Sequence, residues 1–257
     1  MEVVKVSKQA GVMTATLADV DNRNALGGAL ISGIGAALEA ANADPSVYAL
    51  VLTNEGSTFC AGANLKERSG NAAATAPSIS FEDLLGAIQN SPTPVLGRIA
   101  GHVVGGGNGL ASALDISIAA EDVKFGFTEV RLGVAPAIIS VICLPKMRRG
   151  EAMEAFLRGH RFPASRAAEL GLITRAVPAE QLDAALEEVL GDLRKGGPNA
   201  LGFCKQLVNQ VPLMEQKEAF QWTARLSGQL FQSEEAAEGM KAFLQKRKPS
   251  WADDRDD

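Results

Sequence analysis

A glycine-rich turn carries the strongest chemical signal in this sequence. Residues 100–110 read AGHVVGGGNGL and lie between a run typical of a strand and a run typical of a helix. Consecutive glycines let a backbone turn tightly and approach a ligand, and the first turn of the following helix offers free N–H groups. Such a turn stabilises negative charge, either on a phosphate or on an oxyanion that forms in a transition state. Tight packing of strand on helix is an equally good explanation of the glycines alone.

A second turn of small residues comes earlier in the chain. Residues 59–66 read FCAGANLK and follow YALVLT at 48–53, a continuous apolar run of strand length. Two such strand-to-turn junctions can converge on one oxygen atom, each contributing one backbone N–H group. The phosphate-binding patterns GxxxxGK[ST] and GxGxxG are both absent.

Glu129 is the candidate acid–base residue. It lies in FGFTEVRLG, at 125–133, where apolar neighbours can raise its pKa toward neutrality. A solvated glutamate at the end of a strand is the alternative interpretation of the same pattern.

Composition excludes several other chemistries. Only two His are present, and they lie far apart in sequence, while the three Cys form no CxxC pair. We therefore expect no metal site, and an enzyme would have to work with carboxylates and backbone amides. The 25 Lys and Arg against 30 Asp and Glu give a net charge of −5, which argues against a nucleic-acid partner.

The same reading predicts a cytoplasmic protein without a membrane segment. The first residues lack the basic-then-apolar pattern of a signal peptide. The longest apolar stretch, 135–144, is interrupted by Pro136 and is too short to span a bilayer.

Strand-like and helix-like runs alternate through most of the chain, which predicts an α/β fold with parallel strands. The predicted strands are 3–6, 12–17, 48–53, 95–99, 116–119, 124–127 and 172–177. The predicted helices are 26–43, 81–90, 110–114, 137–143, 151–157 and 164–170.

The character of the chain changes after the KGGP sequence at 195–198. The segments 199–210, 214–232 and 234–245 are all helix-like. Their apolar residues are expected to be exposed and to pack on another subunit, or else to pack on the core of the same chain. Those residues are Phe220, Trp222, Leu226, Leu230 and Phe231.

FCAGANLKE together with the GGGNGL turn resembles the crotonase (enoyl-CoA hydratase/isomerase) superfamily. The resemblance extends from the DNRNAL turn at 21–26 to EGMKAFLQKRKPSW near the C-terminus. It implies a crotonase (ClpP-like) spiral of ββα units, followed by a helical trimerisation region. We accordingly expect residues 1–195 to form the core with an acyl-CoA site, and residues 196–257 to form the oligomerisation region of a homotrimer or a dimer of trimers.

The resemblance also implies the roles of individual residues. The N–H groups of Ala63 and Gly106 would be the oxyanion-hole donors for the carbonyl of an acyl-CoA thioester, which is the substrate. Glu129 matches the glutamate that exchanges a proton with the α-carbon of the substrate. No cofactor and no metal are needed. The residues expected to bind substrate are Arg23, Ala61, Asn64, Leu65, Lys66, Gly105, Gly109, Phe243 and Lys246, with Arg68 and Lys248 as further cations near the nucleotide.

One departure leaves the reaction open. Typical hydratases carry a second glutamate three residues beyond the central oxyanion glycine, where this chain has Gly109. The first interpretation is an enoyl-CoA hydratase in which Glu129 both activates water and transfers the proton. TEVRLGVAPAIIS together with Gly109 resembles bacterial methylglutaconyl-CoA-type hydratases. The second is a Δ3,Δ2-enoyl-CoA isomerase that uses Glu129 alone, and the third is a catalytically weak acyl-CoA-binding protein. Acyl specificity is expected to depend on 71–80, 81–88 and 135–141.

Overall fold

A unit of two strands followed by a helix repeats along the chain. The computed structural model describes residues 2–70 and 76–253. The strands within those residues are β1 Val4–Gln9, β2 Val12–Leu17, β3 Ala49–Asn54, β4 Thr58–Cys60, β5 Val95–Ile99, β6 His102–Val104, β7 Ile116–Ala120, β8 Lys124–Gly126, β9 Phe162–Pro163 and β10 Arg175–Val177. The α-helices there are α1 Gly28–Ala43, α2 Leu65–Arg68, α3 Phe81–Asn90, α4 Gly106–Ala113, α5 Ala137–Cys143, α6 Arg149–Arg158, α7 Ala164–Glu169, α8 Leu182–Lys195, α9 Pro198–Gln210, α10 Gln216–Phe231, α11 Glu234–Leu244 and α12 Ser250–Asp253.

The strands form two sheets. The larger sheet has the order β1-β2-β3-β5-β7-β10, with the β1–β2 hairpin antiparallel and every later pair parallel. The smaller sheet has the order β4-β6-β8-β9, with β9 antiparallel to β8. Residues 49–53 of β3 are all buried, as expected of a parallel strand covered on both faces. The predicted α/β class with parallel strands is confirmed.

From β3 onward, each unit places its first strand in the larger sheet and its second strand in the smaller one. The second strands, β4, β6 and β8, are neighbours and run parallel. Because parallel neighbours end at the same edge of a sheet, the three turns that follow them lie side by side. This topology is the ββα repeat that the resemblance predicts, and it brings residues 61–64, 105–106 and 127–129 to one place.

Most predicted elements match the structure, and the differences have local causes. The helix predicted over 26–43 begins at Gly28, because Leu26 pairs with Ala63 in an isolated parallel bridge. The helix predicted over 110–114 begins at Gly106, so the glycines form its first turn. The strand predicted over 172–177 begins only at Arg175, after Gly171 has turned the chain with a φ of 80°.

Residues after 197 form helices and, within the described residues, no strand. Phe220 and Phe231 are exposed, at 68% and 69%, as predicted. Leu226 is 7% exposed and fits the other predicted alternative, packing within the same chain. Trp222, Leu226 and Leu230 recur every four residues and therefore share the face of α10 that is turned toward the molecule, with Trp222 and Leu230 half-buried. Lys205 of α9 joins this region to the core through a 2.7 Å ion pair with Asp115.

Candidate active site

Two turns of the backbone touch at the edge of the smaller sheet. Gly62 follows β4 with a φ of 82°, a left-handed conformation that favours glycine. A Cβ atom at Gly62 would lie 2.9 Å from the nitrogen of Gly106 and 2.9 Å from the carbonyl oxygen of Val104. The close approach of the two turns thus requires glycine at position 62.

The Ala63 turn is held by the main chain of Leu26. The N–H group of Leu26 donates to the carbonyl oxygen of Gly62 at 2.7 Å, and the N–H group of Asn64 donates to the carbonyl oxygen of Leu26 at 3.4 Å. In a planar trans peptide the N–H and the preceding C=O point in opposite directions. The N–H group of Ala63 is therefore directed away from Leu26, and no acceptor for it occurs within the described residues.

The Gly106 turn is held by different contacts. Gly105 has φ 57° and ψ −127°, and Gly106 is the first residue of α4, where helical N–H groups lack an intrahelical acceptor. The carbonyl oxygen of Gly105 accepts from the N–H group of Asn108 at 2.9 Å and from its side-chain Nδ2 at 3.0 Å. The N–H group of Gly106 likewise has no acceptor in the described part of the chain.

Glu129 follows the third turn and lies beside Gly105. A Cβ atom at Gly105 would lie 3.4 Å from Oε1 of Glu129. Oε2 is buried and has no hydrogen-bond partner among the described residues. Burial raises the pKa of this carboxyl group above its usual value. The raised pKa suits a group that must both accept and release a proton.

These groups line one cavity of about 640 Å³. Its size is in the range of pockets that hold small molecules. Most of its surface is apolar. The lining residues are Leu26, Ile31, Ala61, Gly62, Ala63, Leu65, Arg68, Ser69, Phe81, Gly105, Gly106, Thr128, Glu129, Leu132, Val134, Ala135, Pro136, Ala137, Ile138 and Ile139.

Typical hydratases have a second carboxylate at the position of Gly109. Here the space that a side chain at 109 would occupy is taken by Ile139. Gly109, which was predicted to bind substrate, is buried in α4 and is not among the residues that line the cavity. A Cβ atom there would lie 2.2 Å from Cγ2 and 2.7 Å from Cβ of Ile139. Ile139 of α5 therefore takes the space of a side chain at 109 and presents hydrocarbon to the cavity.

The other predicted binding residues divide into two groups. Ala61, Leu65 and Gly105 line the cavity together with the predicted catalytic residues Ala63, Gly106 and Glu129. Arg23, Asn64, Lys66, Phe243 and Lys246 do not line it.

The contacts of this second group have physical explanations. The side chain of Asn64 caps α2 by accepting from the N–H groups of Lys66 and Glu67, and it donates to Oε1 of Glu67. Lys66 donates to Oδ1 of Asn22 at 2.8 Å. Arg23 is exposed, and its carbonyl oxygen accepts from the N–H group of Ala61. Phe243 is 83% exposed at the end of α11, and Lys246 follows it with a φ of 55°.

Sequence reasoning missed three residues of the site. Leu26 was expected inside a helix, Ile139 only within a specificity segment, and Asn108 had no assigned role. Leu26 and Ile139 act on residues distant in sequence, and Asn108 joins Gly105, three residues away, to the distant Gly126, so a single sequence carries no signal for these arrangements. Of the segment 71–80, residues 71–75 lie outside the described residues.

Thiol chemistry and metal chemistry have little support near the cavity. Burial raises the pKa of the Cys60 thiol to about 12, so this neighbour of the Ala63 turn stays protonated. Within residues 2–70 and 76–253, no three His, Cys, Asp or Glu side chains cluster as a metal site would require. The helices in those ranges also include none that is long and apolar enough to cross a membrane.

Comparisons with known proteins agree with this geometry. Residues 7–254 match the family model described as enoyl-CoA hydratase/isomerase. A Rhizobium meliloti protein named "Probable enoyl-CoA hydratase" is 34% identical over 259 residues, which cover 96% of this chain and 96% of that protein. The structure of AtuE from Pseudomonas aeruginosa matches with a TM-score of 0.89 at 34% identity, over 98% of this chain and 100% of AtuE. An enoyl-CoA hydratase/isomerase from Marinobacter aquaeolei has the same TM-score of 0.89 at 29% identity, over 98% of this chain and 100% of that one. The crotonase fold expected from the resemblance is confirmed.

Proposed function

This chain belongs to the enoyl-CoA hydratase/isomerase family, and from that premise we propose that it hydrates an enoyl-CoA thioester with Glu129 as its acid–base group. One observation carries the proposal: two backbone N–H groups without an acceptor among the described residues lie in one cavity with a carboxyl group whose pKa is raised. The N–H groups of Ala63 and Gly106 would hold the thioester oxygen while negative charge develops on it. A single donor of this kind contributes on the order of 10²–10³-fold in kcat.

The proposed hydration uses one carboxylate twice. The oxygen of water bonds to Cβ of the enoyl group, and Glu129 takes a proton from that water. Electron density moves from the double bond to the thioester oxygen, which gives an enolate. Glu129 then returns a proton to Cα, the enolate collapses, and the free carboxylate is restored.

Isomerisation between 3-enoyl and 2-enoyl thioesters is the second candidate. The observation that favours it is Ile139, which puts hydrocarbon where a second carboxylate would activate water. In this reaction Glu129 removes a proton from C2 of a 3-enoyl thioester, the same amides hold the enolate, and Glu129 delivers the proton to C4. Water takes no part.

Chromatography with mass analysis after incubation with 2-enoyl-CoA and 3-enoyl-CoA thioesters of several chain lengths separates the candidates. Hydration adds the mass of one water, whereas isomerisation keeps the mass constant and is detected by chromatographic separation of the 2-enoyl from the 3-enoyl thioester. If both thioesters bind but neither gives a product, the third interpretation holds, in which the chain is a catalytically weak acyl-CoA-binding protein.

Glu129→Gln is the matched variant for the same assay. Gln keeps the shape of Glu but cannot exchange the proton, so turnover should fall by at least about 10²–10⁴-fold while acyl-CoA still binds. Unchanged turnover would contradict the assignment of Glu129.

We infer that CoA is bound by a small set of cationic side chains and by a neighbouring subunit. Arg68 lines the cavity, Lys66 lies in the same short helix α2, and Arg23 lies on the turn that precedes the cavity residue Leu26. We propose that these side chains meet the phosphates of CoA, and that no cofactor takes part. The cavity of the same chain is not lined by Phe243, Lys246 or Lys248. We therefore propose that residues 196–257 pack on an adjacent subunit and bring these three side chains to the nucleotide bound there. Measuring the mass of the assembly in solution tests the expected trimer or dimer of trimers.

A further inference from the structure

Asn108 is a buried side chain next to the catalytic turn. It has no exposed surface and lies in the first turn of α4. Its Nδ2 donates to the carbonyl oxygen of Gly105 at 3.0 Å and to the carbonyl oxygen of Gly126 at 2.9 Å. Both partners are acceptors, so the orientation of the amide is fixed with nitrogen toward them.

These two hydrogen bonds act on the groups that would perform catalysis. The carbonyl of Gly105 and the N–H of Gly106 belong to one planar peptide and point in opposite directions. Any donor that holds the Gly105 oxygen therefore also aims the Gly106 N–H group toward the cavity. A hydrogen bond to the carbonyl of a peptide further polarises its N–H group, which makes that group a better donor.

The second bond connects the turn with Glu129. The carbonyl oxygen of Gly126 accepts from the N–H group of Gly105 at 2.9 Å as well as from Asn108. Gly126 ends β8, three residues before Glu129. Asn108 thus ties the oxyanion donor to the strand that carries the acid–base group.

The other atom of the side-chain amide gains nothing from this arrangement. Oδ1 of Asn108 is buried and has no hydrogen-bond partner in the described part of the chain. A buried acceptor without a partner disfavours the folded state, so the amide at this position carries a cost in stability.

We propose that Asn108 is a positioning residue that orients and polarises the Gly106 N–H group for the thioester oxygen. The inference rests on the proposed function, since it concerns the same oxyanion. It predicts that a change at Asn108 weakens polarisation of the bound substrate carbonyl without removing the binding site.

The test is infrared spectroscopy of a 2-enoyl-CoA with an isotope-labelled thioester carbonyl, bound to parent and variant proteins. Asn108→Leu removes the donor. Ser112→Ala is the matched control, because Ser112 lies in the same helix, is 1% exposed, and donates to a carbonyl oxygen, that of Leu172, outside the site. A merely structural role would lower the melting temperature of both variants and leave the carbonyl frequency unchanged.

With parent protein and with Ser112→Ala, the carbonyl stretch should shift to lower frequency on binding. With Asn108→Leu, the shift should be clearly smaller but not abolished, because the N–H group of Ala63 and the main-chain bond from residue 108 to the Gly105 oxygen remain. We expect kcat to fall on the order of 10–100-fold, part of the loss known for a deleted oxyanion donor, with little change in KM. A parent-like stretch and parent-like kcat in a folded Asn108→Leu protein would overturn the proposal.

Asn108→Asp carries the test if Asn108→Leu fails to fold, because Asp preserves the volume of Asn. Its carboxyl oxygen would face two carbonyl oxygens, so the shift should again be weakened at mildly alkaline pH. A parent-like shift there would overturn the proposal. If the parent protein itself shows no shift on binding, the proposed oxyanion hole is wrong, which distinguishes that failure from a failure of Asn108.

Discussion

The two proposed oxyanion donors are alike in position but differ in what holds them. The peptide that carries the Ala63 N–H group is held by the main chain of Leu26, through a bridge between neighbouring segments. The peptide that carries the Gly106 N–H group is held by Asn108, with its backbone and with its side chain. A main-chain hydrogen bond survives most substitutions because every residue except proline has the same N–H group. The Gly106 side therefore depends in part on residue identity, through the side chain of Asn108, whereas the Ala63 side depends on backbone geometry.

Both sides nevertheless share a requirement for glycine. Gly62 and Gly105 have φ values of 82° and 57°. At Gly62 the requirement is also spatial, because a Cβ atom would meet the other turn, whereas a Cβ atom at Gly105 would lie at ordinary contact distance from Glu129. The contact between the turns is thus more sensitive at Gly62 than at Gly105.

Among changes to the two donor turns, the largest effect is expected for Gly62→Ala, which disturbs both turns at once. The new methyl group would lie 2.9 Å from the nitrogen of Gly106 and must push the turns apart. Because both donors move, kcat should fall by at least about 10²–10³-fold in an acyl-CoA turnover assay.

Gly70→Ala is the control for backbone strain in that experiment. Gly70 has a similar φ of 74°, but no atom of the described residues lies within 4 Å of the added methyl group. Its kcat should stay within about twofold of the parent. Equal losses in the two variants would mean that strain, and not contact between the turns, causes the effect.

Changing pH separates Glu129 from the two amides, which do not titrate. Burial raises the pKa of Glu129, and the carboxylate form is the one that accepts a proton. The value of kcat/KM should therefore fall as pH drops, about tenfold per pH unit below a pKa that lies above 4.5. Stopped assays across the acidic range measure this limb. A profile with its inflection below 4.5 would contradict the effect of burial.

The same shift makes a prediction for stability. A carboxyl group whose folded-state pKa is raised favours folding when it is protonated and opposes folding when it is charged. The penalty begins as pH rises through the unfolded-state value and is complete above the folded-state pKa. Glu129→Gln should therefore melt at a higher temperature than the parent above neutral pH, and the difference should shrink toward pH 4.5. An equal gap at both pH values would contradict this.

Local patterns were enough to predict elements that have clear ends. The bounds 81–90, 95–99 and 137–143 agree with α3, β5 and α5, because Pro and Gly interrupt the chain beside them. Convergence of the two turns was predicted from their shared position after strands.

What was missed depends on contacts that a single sequence does not encode. Leu26 joins a bridge instead of a helix, and Ile139 fills the space at Gly109 from thirty residues away in the chain. In each case the local sequence pattern was identified correctly, but contacts between distant segments of the chain decide where the residue lies.

The smallest effect is expected for Leu26→Ala. This variant tests whether the main-chain hydrogen bonds of Leu26 hold the Ala63 turn without the Leu26 side chain. The N–H group that holds the Gly62 carbonyl remains, so Ala63 should keep its orientation, and kcat should stay within about threefold of the parent. Leu26 also lines the cavity. Loss of its side chain should therefore weaken substrate contact and raise KM. If kcat instead falls as far as in Asn108→Leu, the side chain of Leu26 holds the turn, and the two sides of the site do not differ in the way that their hydrogen bonds indicate.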